Sequence, residues 1–307
     1  MAAGLSMALA WGLSVGWPAA PALAQDEVPF ITTPDRVTLA MLTLAGVGPD
    51  DHVIDLGSGD GRIVITAAKR FGATGLGVEI VPDLVQRSRA SAQAAGVADR
   101  VTFLEQDLFQ TDLSRATVVT MYLLPEVNLQ LRPRLLALKP GTRIVSHDWD
   151  MGDWLPDRSL TLDVPEKAIG REKKSTVHLW VVPARVQGWW CQGAEKIHID
   201  QRYQAFSLTW PGIAAAASAE EPARDVVFNG RIDGHRLTAT GHWPSYGNQP
   251  PTGVWPDLGV VDAQWRITQF GLLLRTLMGF VFWSGSLVYT HAPEGCPVSP
   301  SPHWQAL

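Results

Sequence analysis

The chain has 307 residues, of which 46% are hydrophobic and 18% charged, and its formal net charge is −5. This length accommodates one large domain or two ordinary ones, and the composition excludes a disordered chain. The negative charge gives no general attraction to nucleic acid or to an anionic membrane surface, which disfavours nucleic acid as a partner.

The first 24 residues carry no charged side chain and are rich in Ala, Leu and Trp. They end in Ala22-Leu23-Ala24, after which a polar, acidic stretch begins. This ending predicts a secretory signal peptide over residues 1–24, with an uncleaved N-terminal anchor as the alternative, although the usual basic start is missing. We therefore expect a protein of the cell envelope or periplasm, and the alternative is a cytoplasmic one.

A glycine turn between a strand and a helix organises the rest of the chain. Val53–Leu56 predicts a buried strand, and an apolar helical pattern begins at Ile63. Between them stand Gly57, Gly59 and Gly61. Glycines permit positive φ and let a ligand approach bare backbone. The spacing is not the G-x-G-x-x-G of a dinucleotide site, because an arginine occupies the place of the third glycine.

The charges around this turn indicate which ligand it binds. Asp55 and Asp60 would repel a diphosphate, whereas the sulfonium and ammonium groups of S-adenosylmethionine would be attracted. The segment DLGSGDGR resembles the cofactor loop of class I S-adenosylmethionine-dependent methyltransferases. The cofactor-binding residues that this resemblance implies in the loop are Asp55, Gly57, Ser58, Gly59 and Gly61.

Two further acids are associated with the next two predicted strands. Glu79 lies in the strand 75–80, and Asp107 follows the strand 101–105. Ligands of open α/β sheets bind at the carboxyl ends of the strands, where an acid at the spacing of Glu79 can accept both ribose hydroxyls. A solvated acid at a strand end is the alternative. By resemblance to the family, Asp107 accepts from the adenine amine and Leu108 packs near the ring.

The remaining patterns complete a doubly wound α/β fold. Strands are predicted at 116–124, 142–146, 160–164 and 175–182, and helices at 34–46, 82–95 and 126–138. The family pairs the last two strands as an antiparallel hairpin. We therefore expect a Rossmann-like, seven-stranded methyltransferase sheet over residues 28–183.

The carboxyl ends of the fourth and fifth strands are expected to align the methyl acceptor. The fourth strand ends in Tyr122-Leu-Leu-Pro instead of the Asn/Asp-Pro-Pro-Tyr/Phe signature of enzymes that methylate adenine or glutamine. We predict catalytic roles for Tyr122, His147 and Asp148, which can frame the acceptor, orient an amine or take its proton. Each can instead make local hydrogen bonds at a strand end. Upstream, Phe30, Thr32 and Thr33 belong to a lid or to simple helix packing.

A wider set of motifs narrows the resemblance. DLGSGDGRIVI, GVEI, the D-L-F at Asp107 and the W-x-P-D at Trp154 resemble the mitochondrial lysine methyltransferases of the ATP synthase c-subunit and the adenine nucleotide translocase, with their bacterial relatives. The resemblance covers residues 28–182 and implies lysine N-methylation of a protein, while a small-molecule acceptor stays open. The alternative is a non-catalytic envelope module whose β domain recognises a partner.

The pattern changes to short alternating strands from residue 187. Ile197 and Ile199 are expected to point inward, and turns are expected at Asn229-Gly230 and Asp233-Gly234. We therefore expect a small antiparallel β-rich domain over residues 187–292, with a loop at 214–223 and a disordered tail at 293–307.

Two features of this region concern the membrane and the cysteines. The length of the apolar run 270–289 permits a membrane span, but Arg275 and the Ser/Gly content favour burial in the β domain or an interfacial segment. Membrane association through this run or through the N-terminal segment stays open. Cys191 and Cys296 stand 105 positions apart; two such isolated thiols are more often unpaired or incidental than a disulfide framework, and pairing in an oxidising compartment is the alternative. No metal-ligand spacing supports a metal site.

Overall fold

The computed structural model describes residues 31–168, 172–192, 195–214, 224–241, 253–261, 266–276, 279–292 and 295–296. The predicted signal segment, Phe30, most of the predicted loop 214–223 and most of the predicted tail lie outside these residues. The chain divides into two units, Met1–Ile31 and Thr32–Leu307. The second unit contains a sheet with helices and a closed barrel of strands.

The sheet has seven strands in the order β3-β2-β1-β4-β5-β7-β6. The strands are β1 (His52–Leu56), β2 (Thr74–Glu79), β3 (Val101–Glu105), β4 (Val118–Met121), β5 (Arg143–His147), β6 (Arg158–Asp163) and β7 (Lys174–Val181). The helices are α1 (Asp35–Leu44), α2 (Arg62–Phe71), α3 (Pro82–Ala94) and α4 (Pro125–Leu135). The first five strands are parallel, and β7 is antiparallel to β5 and β6. The predicted seven-stranded, doubly wound fold is confirmed.

The central strands β1, β4 and β5 are buried over almost all of their residues, because helices cover both faces of this part of the sheet. In β1, Val53 packs into a cluster with residues of α1 and α2, whereas Ile54 packs into a second cluster with Leu131 of α4. A sheet covered by helices on both faces requires this pattern. The strand order reverses between β1 and β4, which places a ligand crevice at their carboxyl ends.

The fourth strand is shorter than predicted, because only Val118–Met121 joins the ladder. Leu124 is extended, with φ −65° and ψ 151°, as is typical of a residue before proline, and Pro125 begins α4. Because the chain leaves the sheet at Tyr122, this side chain stands at the carboxyl edge of the strand rather than inside the ladder. The helix that follows ends at Leu135, three residues before its predicted end.

Eight further strands form a closed barrel in the order β10-β11-β12-β13-β14-β15-β8-β9. They are β8 (Gly188–Gln192), β9 (Glu195–Arg202), β10 (Ala205–Ala214), β11 (Arg224–Asp233), β12 (Arg236–Gly241), β13 (Gly253–Val261), β14 (Arg266–Thr276) and β15 (Gly279–Ala292). All neighbouring pairs are antiparallel. Ile197 and Ile199 are buried in the barrel core as predicted, together with Phe206 and Phe228. The predicted antiparallel β domain is confirmed.

The expected turn at Asn229-Gly230 is wrong, because both residues lie within β11. A Cβ at Gly230 would stand 2.4 Å from the ring of Phe206 and 2.3 Å from the carbonyl oxygen of Thr238. The glycine therefore serves the close approach of a neighbouring ring, not a change of chain direction. The chain turns instead after Asp233, as the second predicted turn requires.

The apolar run 270–289 is divided between β14 and β15, which pair with each other in the barrel. Among the helices of the described residues, none has the length and apolar character needed to cross a membrane.

Cys191 and Cys296 form a disulfide, with their Cα atoms 5.6 Å apart, so the alternative in which they pair is the correct one. The pairing was not predictable from the sequence, because the two cysteines are far apart along the chain. The barrel creates it, because Cys191 on β8 pairs with Thr290 on β15, and the chain reaches Cys296 shortly afterwards.

Candidate functional site

The glycine turn leaves β1 at the point where the strand order reverses. Gly57, Gly59 and Gly61 have φ of 75°, 54° and 79°, a region that side-chain-bearing residues rarely adopt. A Cβ at Gly57 would lie 2.9 Å from Leu123, and one at Gly61 would lie 2.7 Å from the ring of Phe103. Glycine is therefore required at Gly57 and Gly61 both by the backbone conformation and by the close packing of Leu123 and Phe103.

Asp55 is buried beneath the turn and accepts a hydrogen bond from the hydroxyl of Thr120 at 2.7 Å. Burial raises the pKa of this carboxyl to about 7, and the nearby charges of Glu79 and Asp60 act in the same direction. The charged form of Asp55 is therefore poorly stabilised by the protein alone. A cation bound above the turn would stabilise it.

Glu79 fastens the glycine turn to the end of β2. Its Oε2 accepts from the backbone N–H of Gly59 at 2.9 Å, and its Oε1 accepts from Ile80 and Val81 at 2.8 and 3.0 Å. A carboxylate offers about four acceptor positions, and the backbone takes three of them. With 9% of its surface exposed, Glu79 has room for about one further hydrogen bond rather than for two ribose hydroxyls.

Asp60 is neutralised by Arg62, whose Nη2 lies 2.6 Å from its carboxylate. Burial alone would raise the pKa of Asp60, but the hydrogen bonds and charge of Arg62 outweigh it and hold the pKa below its usual value. The Arg62 Nη1 also donates to the carbonyl of Thr33 at 2.9 Å. The acidic character of the turn therefore comes from Asp55 and Glu79, and Arg62 ties the segment before α1 to it.

Asp107 caps a short 3₁₀ turn, Leu108–Gln110, by accepting from the backbone N–H of Phe109 at 2.8 Å. Both Asp107 and Leu108 are half-buried after the carboxyl end of β3. Just beyond the end of the neighbouring strand β2, directly after Glu79, the side chain of Ile80 is 64% exposed. An exposed isoleucine beside a strand-end acid offers apolar surface to a flat ring. Ile80 was not among the predicted site residues, although its place after the acid is visible in the sequence.

The rings of Tyr122 and His147 pack against each other at the ends of β4 and β5, with centroids 3.9 Å apart and planes inclined by 32°. His147 is only 1% exposed, and its Nε2 lies 2.9 Å from the hydroxyl of Ser175. Burial lowers the pKa of His147 to about 4, so the ring is neutral at physiological pH. This arrangement favours a supporting role for His147 beneath Tyr122 over direct proton transfer from an acceptor.

Asp148 follows β5 with φ of 64°, an uncommon conformation for a residue with a side chain. Its Oδ1 accepts from the backbone N–H of Thr176 at 2.9 Å, and its Oδ2 accepts from the ammonium of Lys167 at 2.6 Å. Lys167 also donates to the carbonyl of Lys174. Sequence reasoning missed Lys167, because a lysine in the connection between β6 and β7 carries no local signal of such a role.

The residues at the turn fit S-adenosylmethionine. Ser58 is buried, and its hydroxyl has no hydrogen-bond partner among the described residues. The turn itself follows Asp55 and is hydrogen-bonded to Glu79 through Gly59, so the polar and cationic groups of the cofactor would meet these two carboxylates there. The structure also brings the predicted catalytic residues to the neighbouring strand ends β4 and β5. Binding and catalytic roles of these residues stay predictions.

Comparisons with known proteins identify the chain's relatives. The ANTKMT methyltransferase domain matches residues 55–158. A protein-lysine N-methyltransferase of Saccharolobus islandicus (strain REY15A) is 41% identical over 158 residues, which are 51% of this chain and 94% of that protein. The lysine N-methyltransferase of the ATP synthase c-subunit from Xenopus laevis is 36% identical over 46% of this chain and 60% of that protein.

A crystal structure of an RNA methyltransferase from Salinibacter ruber in complex with S-adenosyl-L-homocysteine shares 52% identity, covers 51% of this chain and 96% of that chain, and has a TM-score of 0.47. The match to the archaeal enzyme spans nearly all of that protein, whereas this chain covers less than two thirds of the Xenopus protein. Because it matches 94% of the Saccharolobus protein at 41% identity, the chain belongs to the same methyltransferase family as that protein and is an S-adenosylmethionine-dependent enzyme.

Proposed function

We propose that this enzyme methylates a lysine amine of a protein. The observation that carries the proposal is the contact between Asp148 and Lys167, in which a carboxylate at the acceptor edge holds an alkyl ammonium at 2.6 Å. Lys167 thus stands in for the chemical group that a lysine acceptor would present. The archaeal and Xenopus relatives are both lysine N-methyltransferases, which supports the same acceptor class.

The crevice has two halves, one that binds the cofactor and one that binds the acceptor. Bound S-adenosylmethionine supplies a methyl group on a positively charged sulfur. The glycine turn, Asp55 and Glu79 hold the cofactor, while Asp148 exchanges the ammonium of Lys167 for that of the acceptor and sets its direction. A nucleophilic amine must be neutral and in line with the methyl group, so the acceptor ammonium that Asp148 orients must first release one proton to solvent.

Tyr122 forms the wall between the two halves. Burial, with a smaller contribution from Asp148, raises the pKa of its hydroxyl above the usual value, so the hydroxyl stays protonated at neutral pH. The neutral ring of His147 packs against Tyr122 and is fixed by Ser175. We therefore assign Tyr122 to shaping the acceptor channel, Asp148 to orienting the amine and His147 to supporting both.

Labelled S-adenosylmethionine and a protein extract test the proposal. We expect the label in lysine side chains, identified by mass spectrometry of peptides, and no label when the lysines are blocked by acetylation beforehand. Asp148→Asn should lower kcat/KM for the acceptor while leaving cofactor affinity unchanged. Label recovered in RNA, or in protein residues other than lysine, would contradict the acceptor assignment.

We also propose that the protein works in the cell envelope, with the N-terminal segment as an export signal or membrane anchor. The signal-like sequence and the disulfide between Cys191 and Cys296 support this location, because such bonds persist in oxidising compartments. Cell fractionation combined with thiol alkylation before lysis tests it. A cytoplasmic protein with both thiols alkylated would refute it.

A further inference from the structure

The segment that follows Asp148, here called the post-β5 loop (Trp149–Leu155), is held by α4. Asn128 donates its side-chain N–H to the carbonyls of Trp149 and Asp150, each at 3.2 Å. Arg132 donates to the carbonyl of Met151 at 2.8 Å and forms an ion pair with Asp153 at 2.5 Å. The loop is thereby fixed on one side by the methyltransferase sheet's own helix.

The barrel holds the same loop from another side, through the turn between β9 and β10. Asp153 accepts from the hydroxyl of Tyr203 at 3.0 Å and from the Nη2 of Arg202 at 2.9 Å. The Tyr203 ring stacks on Trp154, with centroids 6.0 Å apart and planes inclined by 21°. Gln204 adds a hydrogen bond to the carbonyl of Leu155 at 2.6 Å. Three consecutive barrel residues therefore contact three consecutive loop residues.

Two features indicate that the contact between the barrel turn and the post-β5 loop is a stable part of the fold. Tyr203 has φ of 54°, a conformation that turns usually give to Gly or Asn, so its side chain is kept there despite an unfavourable backbone. The hydrogen bonds from Arg202 and then Tyr203, together with Arg132, lower the pKa of Asp153 to about 2. Asp153 is therefore charged at every physiological pH, and the contact does not switch off by protonation.

We propose that the barrel positions the acceptor half of the active site, with Arg202 and Tyr203 acting through Asp153 and Trp154 on the post-β5 loop. The inference rests on the proposed function in one respect, because it takes Asp148 as the acceptor side. The loop joins Asp148 directly, so its displacement moves that carboxylate. Within the described residues, Arg202, Tyr203, Gln204 and Arg231 make side-chain hydrogen bonds and ion pairs to Asp153, Leu155 and Asp157 of the sheet domain. None of these three partners belongs to the cofactor half of the site.

Arg202→Ala and Tyr203→Ala test the proposal, with Tyr203→Phe as a milder variant that keeps the ring and removes the hydroxyl. Arg231→Ala is the matched control, since Arg231 joins the same barrel to Asp157 just before β6, beyond the loop. We expect kcat/KM for a lysine acceptor to fall by on the order of tenfold to a hundredfold in the alanine variants, because small misplacements of reacting groups have such effects. The kcat/KM of Tyr203→Phe should lie between that of the alanine variants and that of the wild type.

The affinity for S-adenosylhomocysteine should stay within about twofold of the wild type in every variant, since the cofactor half is not contacted. A parallel loss of that affinity, or an equal loss of acceptor kinetics in Arg231→Ala, would overturn the proposal in favour of a general stabilising role.

Hydrogen exchange separates this inference from the proposed function. The amides of residues 148–155 should exchange faster in Arg202→Ala and Tyr203→Ala and at the wild-type rate in Arg231→Ala, whatever the acceptor is. If the variants show this exchange pattern but the wild type does not methylate lysine, the proposed acceptor is refuted and the positioning role is retained. Unchanged exchange in all variants would refute the positioning role itself.

Discussion

Replacing Asp55 by Asn should make the protein more stable and its cofactor binding weaker. The pKa of this buried carboxyl is raised from 3.8 to about 7 in the folded chain. Between these two values the folded state binds more protons than the unfolded state, so the free energy of unfolding decreases as the pH rises through this window. Above about pH 7 the full cost of ionising Asp55 is present.

The magnitude follows from the size of the shift. Each pKa unit corresponds to about 1.36 kcal/mol, so a shift of roughly three units costs about 4 kcal/mol at pH 8 as an upper bound. Asn has nearly the same shape and can still accept the hydroxyl hydrogen bond of Thr120, but it does not ionise. Asp55→Asn should therefore gain up to this amount at pH 8 and almost nothing at pH 4.

Cofactor affinity should change in the opposite sense. A cationic ligand favours the ionised carboxylate, so binding to wild type below pH 7 releases a proton, and the affinity should fall by at most about tenfold per pH unit there. Asp55→Asn should bind weakly at all pH values and show no such slope.

Urea unfolding and calorimetry with S-adenosylhomocysteine, both at pH 5 and pH 8, measure the two effects. Thr120→Val is the control, because it removes the hydrogen bond and keeps the ionisable group. An Asp55→Asn variant that is no more stable than wild type at pH 8, or that keeps the pH dependence of cofactor affinity, would refute the reasoning.

Three further predictions concern other parts of the chain. Glu79→Gln should weaken cofactor affinity by about tenfold in calorimetry with little loss of folded protein by circular dichroism, since charged hydrogen bonds contribute about 1.5–3 kcal/mol; unchanged affinity would remove Glu79 from the site. His147→Gln should reduce acid sensitivity, because the neutral buried ring loses about 3 kcal/mol of stability as the pH falls from 6.5 to about 4, and denaturant titrations at pH 4.5 and 7 would show it. Cys191→Ser with Cys296→Ser should lower the stability of the barrel by about 5 kcal/mol, because the disulfide closes a long loop, and thermal unfolding with and without reductant would reveal an equal loss in reduced wild type.

The cofactor half of the site could be predicted from the sequence because its signals are local. The glycines after β1 are confirmed in left-handed conformations, and the predicted strands place Asp55, Glu79 and Asp107 at one edge of the sheet. Each of these residues lies in or just after an apolar strand, so alternation and turn chemistry were sufficient to locate them. Their hydrogen-bond partners were not predictable, as the use of Glu79 by three backbone amides shows.

What the sequence by itself determined is the doubly wound fold, the glycine turn and the family to which the chain is similar. Only the tertiary structure decided that Lys167 meets Asp148, that Tyr203 holds Asp153, and that Cys191 pairs with Cys296. The physical reason is distance along the chain. Strands and turns are encoded by neighbouring residues, whereas these contacts depend on strand pairing and barrel closure, which bring together side chains that carry no mutual signal in the sequence.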